Sequence, residues 1–487
     1  MQSPQILLAG LLCMFACNTA LSLEAETVNR SFQMVDHHNN TGHIDTGVAN
    51  KDKANFYPSR ASTGKIDNVT PDMFDQPETC GGCHTEIYTQ WKGSMHSNSW
   101  KDPVYRAALN MASKATEGKV DKLCIGCHTP IGLVTGEATP EGKNMSKVAN
   151  EGVQCEVCHN ISASTGIGNG SYVLTPKLHG KKLKFGPFKD SQSPYHDTAY
   201  SKLHTQSEFC AQCHNVTHPF NKLPVERTYD EWKDSWYAGQ DIHCQDCHMT
   251  PGPGVTKNPG KATPFSKERE QIYTHYFVGG NVMVPELLGS SMHASQAEEM
   301  LQAAADVEIM VDDKLAVDGM QHVQVKVTNI GAGHKLPTGF PEGREMWLDF
   351  KVTDATGKLV YRLGQIKDGH TEKGTKSFKV VLGDKDGNVV HLELWDADRV
   401  LYDTRIPAKG FSVVDYMFML PEDVNGPLTI TADLNYWSFP QNVLDELMGK
   451  DAPVVPVTLM KTVSRKINLG QSVTKLGQGS SVEESGG

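Results

Sequence analysis

Ten of the twelve cysteines in this chain fall into five Cys-x-x-Cys-His units: Cys80-Gly81-Gly82-Cys83-His84, Cys124-Ile125-Gly126-Cys127-His128, Cys155-Glu156-Val157-Cys158-His159, Cys210-Ala211-Gln212-Cys213-His214 and Cys244-Gln245-Asp246-Cys247-His248. A gap of two residues lets one turn present both thiols to the vinyl groups of a haem, while the histidine that follows aims its imidazole at the iron. Structural zinc needs four ligands from matched half-sites, whereas these pairs number five and each is followed by histidine. Dithiol redox pairs need neither the histidine nor the repetition. The pattern therefore predicts five covalently attached c-type haems. The ten cysteines attach them, and His84, His128, His159, His214 and His248 ligate iron.

Each iron then takes a sixth ligand or keeps an open position. Two imidazoles suit a haem to electron transfer, and an open position admits substrate. Fifteen of the twenty histidines remain, and five stand out by context. His96 closes Trp91-Lys92-Gly93-Ser94-Met95-His96, thirteen residues after Cys83, and His196 closes Ser193-Pro194-Tyr195-His196. His218 follows the fourth unit closely, His275 precedes Tyr276-Phe277-Val278-Gly279-Gly280, and His334 sits in Gly333-His334-Lys335-Leu336-Pro337-Thr338-Gly339. These five are the expected distal ligands. His179, His204, His243 and His293 stand in reserve, while His322, His370 and His391 read as structural or solvated.

The elements that must position these residues differ along the chain. The five units occupy 169 residues, with starts 44, 31, 55 and 34 apart, among many Gly, Pro and Ser breaks. Little apolar side chain is left for an ordinary core, so the macrocycles are expected to fill the interior. Pro285 to Ala305 reads as a helix. Beyond it, Val323, Val325 and Val327 alternate with polar residues, the pattern of a half-buried strand. Similar stretches run from Trp347 to Val352, Val389 to Trp395, Ser412 to Leu420 and Leu428 to Trp437. The expected fold class is a mostly irregular and α-helical multihaem cytochrome c domain over 76–304, followed by an all-β antiparallel, immunoglobulin-like sandwich over 305–469. Trp347, Trp395 and Trp437 are expected in the sandwich core.

An apolar run from Ile6 to Cys17, followed by Ala20-Leu21-Ser22, reads as a secretory leader over residues 1–22, although no cation precedes the run. Lipidation at Cys17 is the alternative, and either outcome exports the chain to the periplasm or outer surface. Cleavage would also remove Cys13 and Cys17, the two cysteines outside the units. Residues 23–75 read as a polar, flexible arm carrying His37, His38 and His43, and 470–487 as a disordered Gly/Ser-rich tail. The net charge of −11 argues against a nucleic-acid partner. Membrane association is expected only through the leader or a lipid.

The stretch from Cys80 to His96, with Trp91 and Ser94, resembles the first haem segment of tetrahaem cytochromes linked to hydroxylamine oxidation. Glu151-Gly152-Val153-Gln154-Cys155-Glu156-Val157-Cys158-His159 resembles a segment shared by these and by extracellular multihaem cytochromes. Tyr229-Asp230-Glu231-Trp232 through Met249, and the Gly333 to Gly339 loop, are similar to the latter group. The likeness covers about residues 76–340. It implies stacked bis-histidine haems and a role as an electron relay. The fifth unit and the C-terminal strands depart from the tetrahaem pattern.

Three functions follow as expectations. The first is an exported electron carrier exchanging electrons with other cytochromes or a quinol-linked donor. The second is an enzyme, a multihaem reductase or oxidase acting on a small nitrogen or sulfur compound at an open haem. Pentahaem nitrite reductases have Lys in place of one motif histidine, and all five units here end in His. The third is a homo-oligomer or extracellular filament in which arm histidines reach a neighbouring subunit. A docking or packing role is expected for the strand region.

Overall fold

The structure is a computed structural model that describes residues 55–470 other than 178, 179 and 342. The leader with Cys13 and Cys17, the arm histidines, His179 and the tail lie outside the described residues. Among the described residues no helix is long and apolar enough to cross a membrane.

The cysteine-bearing segments are short helices at Pro77–Gly81, Asp121–His128, Cys155–Cys158, Ser207–Ala211 and Gln245–His248. None is long enough to be stable alone, so packing must hold them. The longest helix of the region, Pro103–Thr116, has a strong start. Asp102 accepts from the amides of Val104 and Tyr105, and proline fills the first helical position. A small core of Trp100, Leu109, Ile125, Ile131, Tyr172 and Leu174 ties these helices together.

The last part of the expected arm is not flexible. Ser59, Ala61, Ser62, Thr63, Val69 and Phe74 are buried. Arg60 and Ser62 donate backbone hydrogen bonds to the carbonyls of Asn169 and Tyr172. A polar sequence is buried here because its main-chain groups are satisfied by a neighbouring strand. The expected Pro285–Ala305 helix is interrupted as well. Gly289, at φ +81°, separates Met283–Leu287 from Ser291–Ala304.

The C-terminal strands follow the alternation read from the sequence. Those of the two larger sheets are, in chain order, β1 (Ala305–Met310), β2 (Lys314–Ala316), β3 (Gly319–Asn329), β4 (Glu345–Thr353), β5 (Leu359–Leu363), β6 (Ser377–Phe378), β7 (Phe411–Leu420), β8 (Leu428–Trp437) and β9 (Thr458–Gly470). Two short ribbons lie beside them in sequence, Ile366–Lys367 paired to His370–Thr371 and Val380–Gly383 paired to Arg399–Asp403. One sheet runs β5-β4-β8-β9-β2, with β6 also pairing β4, and a second runs β7-β3-β1. Val323, Val325 and Val327 of β3 meet Leu348, Phe350 and Val352 of β4 and Ile430 of β8 in one core.

Four details differ from expectation. The β9–β2 pairing is parallel, and a helix, Gln441–Met448, interrupts the strands. Val389 to Trp395 is not a strand, because its chain turns through a 3-10 segment at Leu394–Asp396. Trp347 and Trp437 are core residues with ring centroids 4.7 Å apart, whereas Trp395 is only half-buried. Among the described residues the haem-unit region and the strands belong to one compact unit.

Candidate haem sites

All ten motif cysteines and all five motif histidines line a single cavity of about 2380 Å³, together with His96, His196, His218, His275 and His334. None of the ten thiols is in a disulfide. Thiols of different units lie near one another: Cys80 beside Cys155, Cys127 beside Cys213, and Cys210 beside Cys244. Cys158 lies within electrostatic reach of Cys210 and Cys213. The spatial order of the units is therefore first, third, fourth, fifth, with the second branching from the fourth.

Four of the five motif imidazoles are oriented by a backbone carbonyl. Nδ1 of His84 donates to Ala262 at 2.9 Å, that of His128 to Ser99 at 3.0 Å, that of His159 to Phe185 at 2.7 Å and that of His248 to Val278 at 2.5 Å. Occupying Nδ1 leaves Nε2 as the free nitrogen, which is how a metal-ligating histidine is oriented by its outer shell. Three distal candidates use the same device. Nδ1 of His196 donates to Asp197 O, that of His275 to Tyr273 O and that of His334 to Lys335 O.

These histidines come together in pairs. Ring centroids are 6.2 Å apart for His248 and His334, 6.4 Å for His159 and His275, and 6.1 Å for His214 and His96. Such separations are too long for ring contact. His196 lies within electrostatic reach of His84. Burial drives the imidazoles towards the neutral form that ligates metal, lowering His96 and His275 to about 3 and His128 to about 4. His84, His159, His214, His248 and His334 move in the same direction, again chiefly through burial.

The residues fit haem. The thiols are unpaired, the buried Nδ1 of His96 has no hydrogen-bond partner, and the imidazoles converge on one large cavity. A c-type haem would be held by thioether bonds to each cysteine pair, and its iron would supply one-electron chemistry.

His218 does not join a pair. Its Nε2 donates to the carbonyl of Trp395 at 3.0 Å, and its Nδ1 accepts from the Asn221 amide. Both nitrogens are engaged, so His218, expected as a distal ligand, is not among the histidines paired here. His293 and His243 are engaged likewise, the first by Gln90 O and Ser290 Oγ and the second by Ser207 and Asp241. His204 lies 5.8 Å from His159 but directs Nε2 to the Cys158 carbonyl. His322 pairs with Asp415 on the exposed face of β3.

The ring packed against His128 belongs to Tyr105, stacked at 3.6 Å and 4°. The Tyr105 hydroxyl is buried without a partner. Nothing in the sequence singled out Tyr105, because an aromatic residue in a helix reads as ordinary core. A second group missed from the sequence anchors the His334 loop. Arg405 bridges Glu231 at 2.7 Å and Asp403 at 2.8 Å, Lys335 reaches Asp403 at 2.7 Å, and the Thr338 hydroxyl donates to Glu231 at 2.6 Å.

Repeated thiol pairs, tethered imidazoles and one shared cavity define a multihaem c-type cytochrome. Residues 79–160 match the family described as cytochrome c554 and c-prime. Among solved structures, the chain is similar to a penta-heme cytochrome c552 from Thermochromatium tepidum. The identity is 20% and the TM-score 0.59, covering 82% of this chain and 99% of that one. The CARDB domain of the PF1109 protein from Pyrococcus furiosus aligns at 13% identity over 34% of this chain and 87% of its own, with a TM-score of 0.16 that carries no argument. No curated protein matches the chain.

Proposed function

We propose that the protein is an exported pentahaem electron relay, in which Cys80, Cys83, Cys124, Cys127, Cys155, Cys158, Cys210, Cys213, Cys244 and Cys247 attach five haems. His84 with His196, His159 with His275, His214 with His96 and His248 with His334 supply both axial ligands to four of them. The observation that carries this reading is three imidazole pairs about 6 Å apart in one cavity, with Nδ1 of His159, His275, His248 and His334 each tethered to a backbone carbonyl. The approach of thiols from different units supports haems close enough for electrons to pass without bond-making chemistry. The two C-terminal sheets act as an immunoglobulin-like packing module that delivers His334. The test is haem stoichiometry by pyridine haemochrome, with electron paramagnetic resonance of the oxidised protein. Five haems with four low-spin signals are expected, and fewer than four would refute the pairing.

A second reading attaches to the second unit. His128 is stacked on Tyr105, whose unpartnered hydroxyl faces the shared cavity region, and none of the four distal histidines is paired with it. An open sixth position there would admit a small nitrogen or sulfur compound. Carbon monoxide or nitrite binding to the reduced protein at one haem supports that reading, and no binding at any haem removes it. A filament built through His37, His38 and His43 would appear in electron microscopy and size exclusion. A strictly monomeric protein excludes it.

A further inference from the structure

The first unit sits at one end of the spatial order and is the most open of the five. Cys83 is the exposed cysteine among the ten, the other nine being partly covered. The loop that orients His84 through Ala262 O is pinned by paired backbone hydrogen bonds between Gly260 and Arg269. At its tip, Phe265 is 92% exposed. On the opposite segment Tyr195, next to His196, is 57% exposed and Tyr200 44%. A cluster of exposed aromatic rings beside a cofactor site is an interaction surface rather than scattered apolar exposure.

The charge around these rings runs against that of the chain. Residues 181–202 carry five lysines and two aspartates, and residues 256–271 carry four cations and two glutamates. The two segments therefore hold a net +5 on a chain of −11, leaving −16 for the rest. They are joined through Asp190, which pairs with Arg269 at 2.5 Å and Lys267 at 3.1 Å. Lys182 lies over the Tyr195 ring at 4.7 Å and Lys189 over Tyr200 at 5.1 Å. Several of these cations are neutralised locally, Lys181 by Asp197, Lys182 by Asp75 and Lys184 by Glu156. Among the described residues Lys189, Lys202, Lys257 and Lys261 are exposed without a salt-bridge partner, against the exposed Glu268 and Glu270, so the outward field is net positive.

Resting on the relay reading above, we propose that this aromatic-centred, basic surface is the docking site for an acidic redox protein that exchanges electrons with the haem of the first unit. Charge complementarity selects the partner: a basic carrier would be repelled here and drawn to the acidic remainder. In the exchange one electron leaves the partner's reduced centre, and one ferric iron of the relay becomes ferrous.

The probe is a reduced acidic [2Fe–2S] ferredoxin mixed with the oxidised holoprotein in stopped flow. The second-order rate is expected to fall at least tenfold between low salt and 0.5 M salt, as steered association does. Changing Lys189, Lys257 and Lys261 together to glutamate should lower the low-salt rate at least tenfold, with haem content and full reduction by dithionite unchanged. Phe265→Ser should lower the rate several-fold at every salt concentration. An unchanged ferredoxin rate in the triple variant, or faster low-salt reduction by a basic carrier than by the ferredoxin, would overturn the docking site. Failure of dithionite to reduce the haems of the parent protein would instead overturn the relay reading, and the docking proposal with it.

Discussion

Replacing Arg405 with methionine tests whether the strand region clamps an axial histidine in place. The Arg405 side chain is 9% exposed and lies between Glu231, 5% exposed, and Asp403. Methionine keeps the length and removes the charge. Glu231 is then buried with the Thr338 hydroxyl as its remaining donor, and Asp403 keeps Lys335. Removing one partner of a buried ion pair costs about 3–5 kcal/mol, because the other charge stays desolvated. The carboxyl of Asp403 gives a second measure. Although burial alone would raise it, the bonds and charges of Arg405 and Lys335 hold it at about 2, below the usual 3.8. A shift of that size corresponds to roughly 2 kcal/mol after allowance for partial exposure, shared between the two cations. A loss of about 3 kcal/mol at pH 7 is therefore expected in guanidinium unfolding followed by circular dichroism. The depressed carboxyl contributes its stability above about pH 4 and loses it as the pH falls through 2, so the gap between parent and variant should narrow in acid. The haem paired with His334 should also gain high-spin character. A change below about 1 kcal/mol at pH 7, with an unaltered spectrum, would refute the clamp.

The remaining predictions concern ligands and one buried acid. His334→Ala and His275→Ala should each convert one haem from low to high spin, whereas His218→Ala should leave the electron paramagnetic resonance spectrum as it was, since both His218 nitrogens are spent on Trp395 and Asn221. Asp102 is raised to about 6, chiefly by burial, so the folded protein holds a proton that the unfolded chain releases near pH 4. Stability should then decline as pH rises from 4 to 6, by at most about 3 kcal/mol, and level off above. Asp102→Asn, which can still cap the helix, should flatten that decline, and an unfolding series over pH 4–7 measures it.

The chemistry was legible because a Cys-x-x-Cys-His unit is local: two thiols and an imidazole within five residues report the cofactor before any fold is known. The strands were legible for a similar reason, since Val323, Val325 and Val327 alternate in sequence as they do across β3. Pairing across the cavity was less so. His218 looked equivalent to His275 by position, yet its Nε2 is met by the Trp395 carbonyl, 177 residues away. The carbonyls of Ala262, Ser99, Phe185 and Val278 are main-chain groups that no residue type announces. Arg405, Glu231 and Asp403 read singly as surface charges, because only the docking of strands on the helix at Thr228–Lys233 buries them.

The order of the units in space bears on what the second one is for. Neighbouring thiols link the first unit to the third and the fourth to the fifth, with the third and fourth in electrostatic reach. In the proposed relay, an electron entering beside Cys83 would travel towards His248 and His334 without visiting the second unit. That unit meets the line at the fourth, through Cys213 and His214. His96, which pairs with His214 of that fourth unit, is also within reach of His128, His275 and His248. A haem on a side branch cannot shorten the through path. It can hold one more electron, or pass one to a molecule bound beside it. The same unit is the one whose imidazole stacks on Tyr105 instead of pairing with one of the distal histidines. Under the proposed function, position on the branch and the unpaired imidazole point to the same division of labour: conduction along four units and storage or reaction at the second.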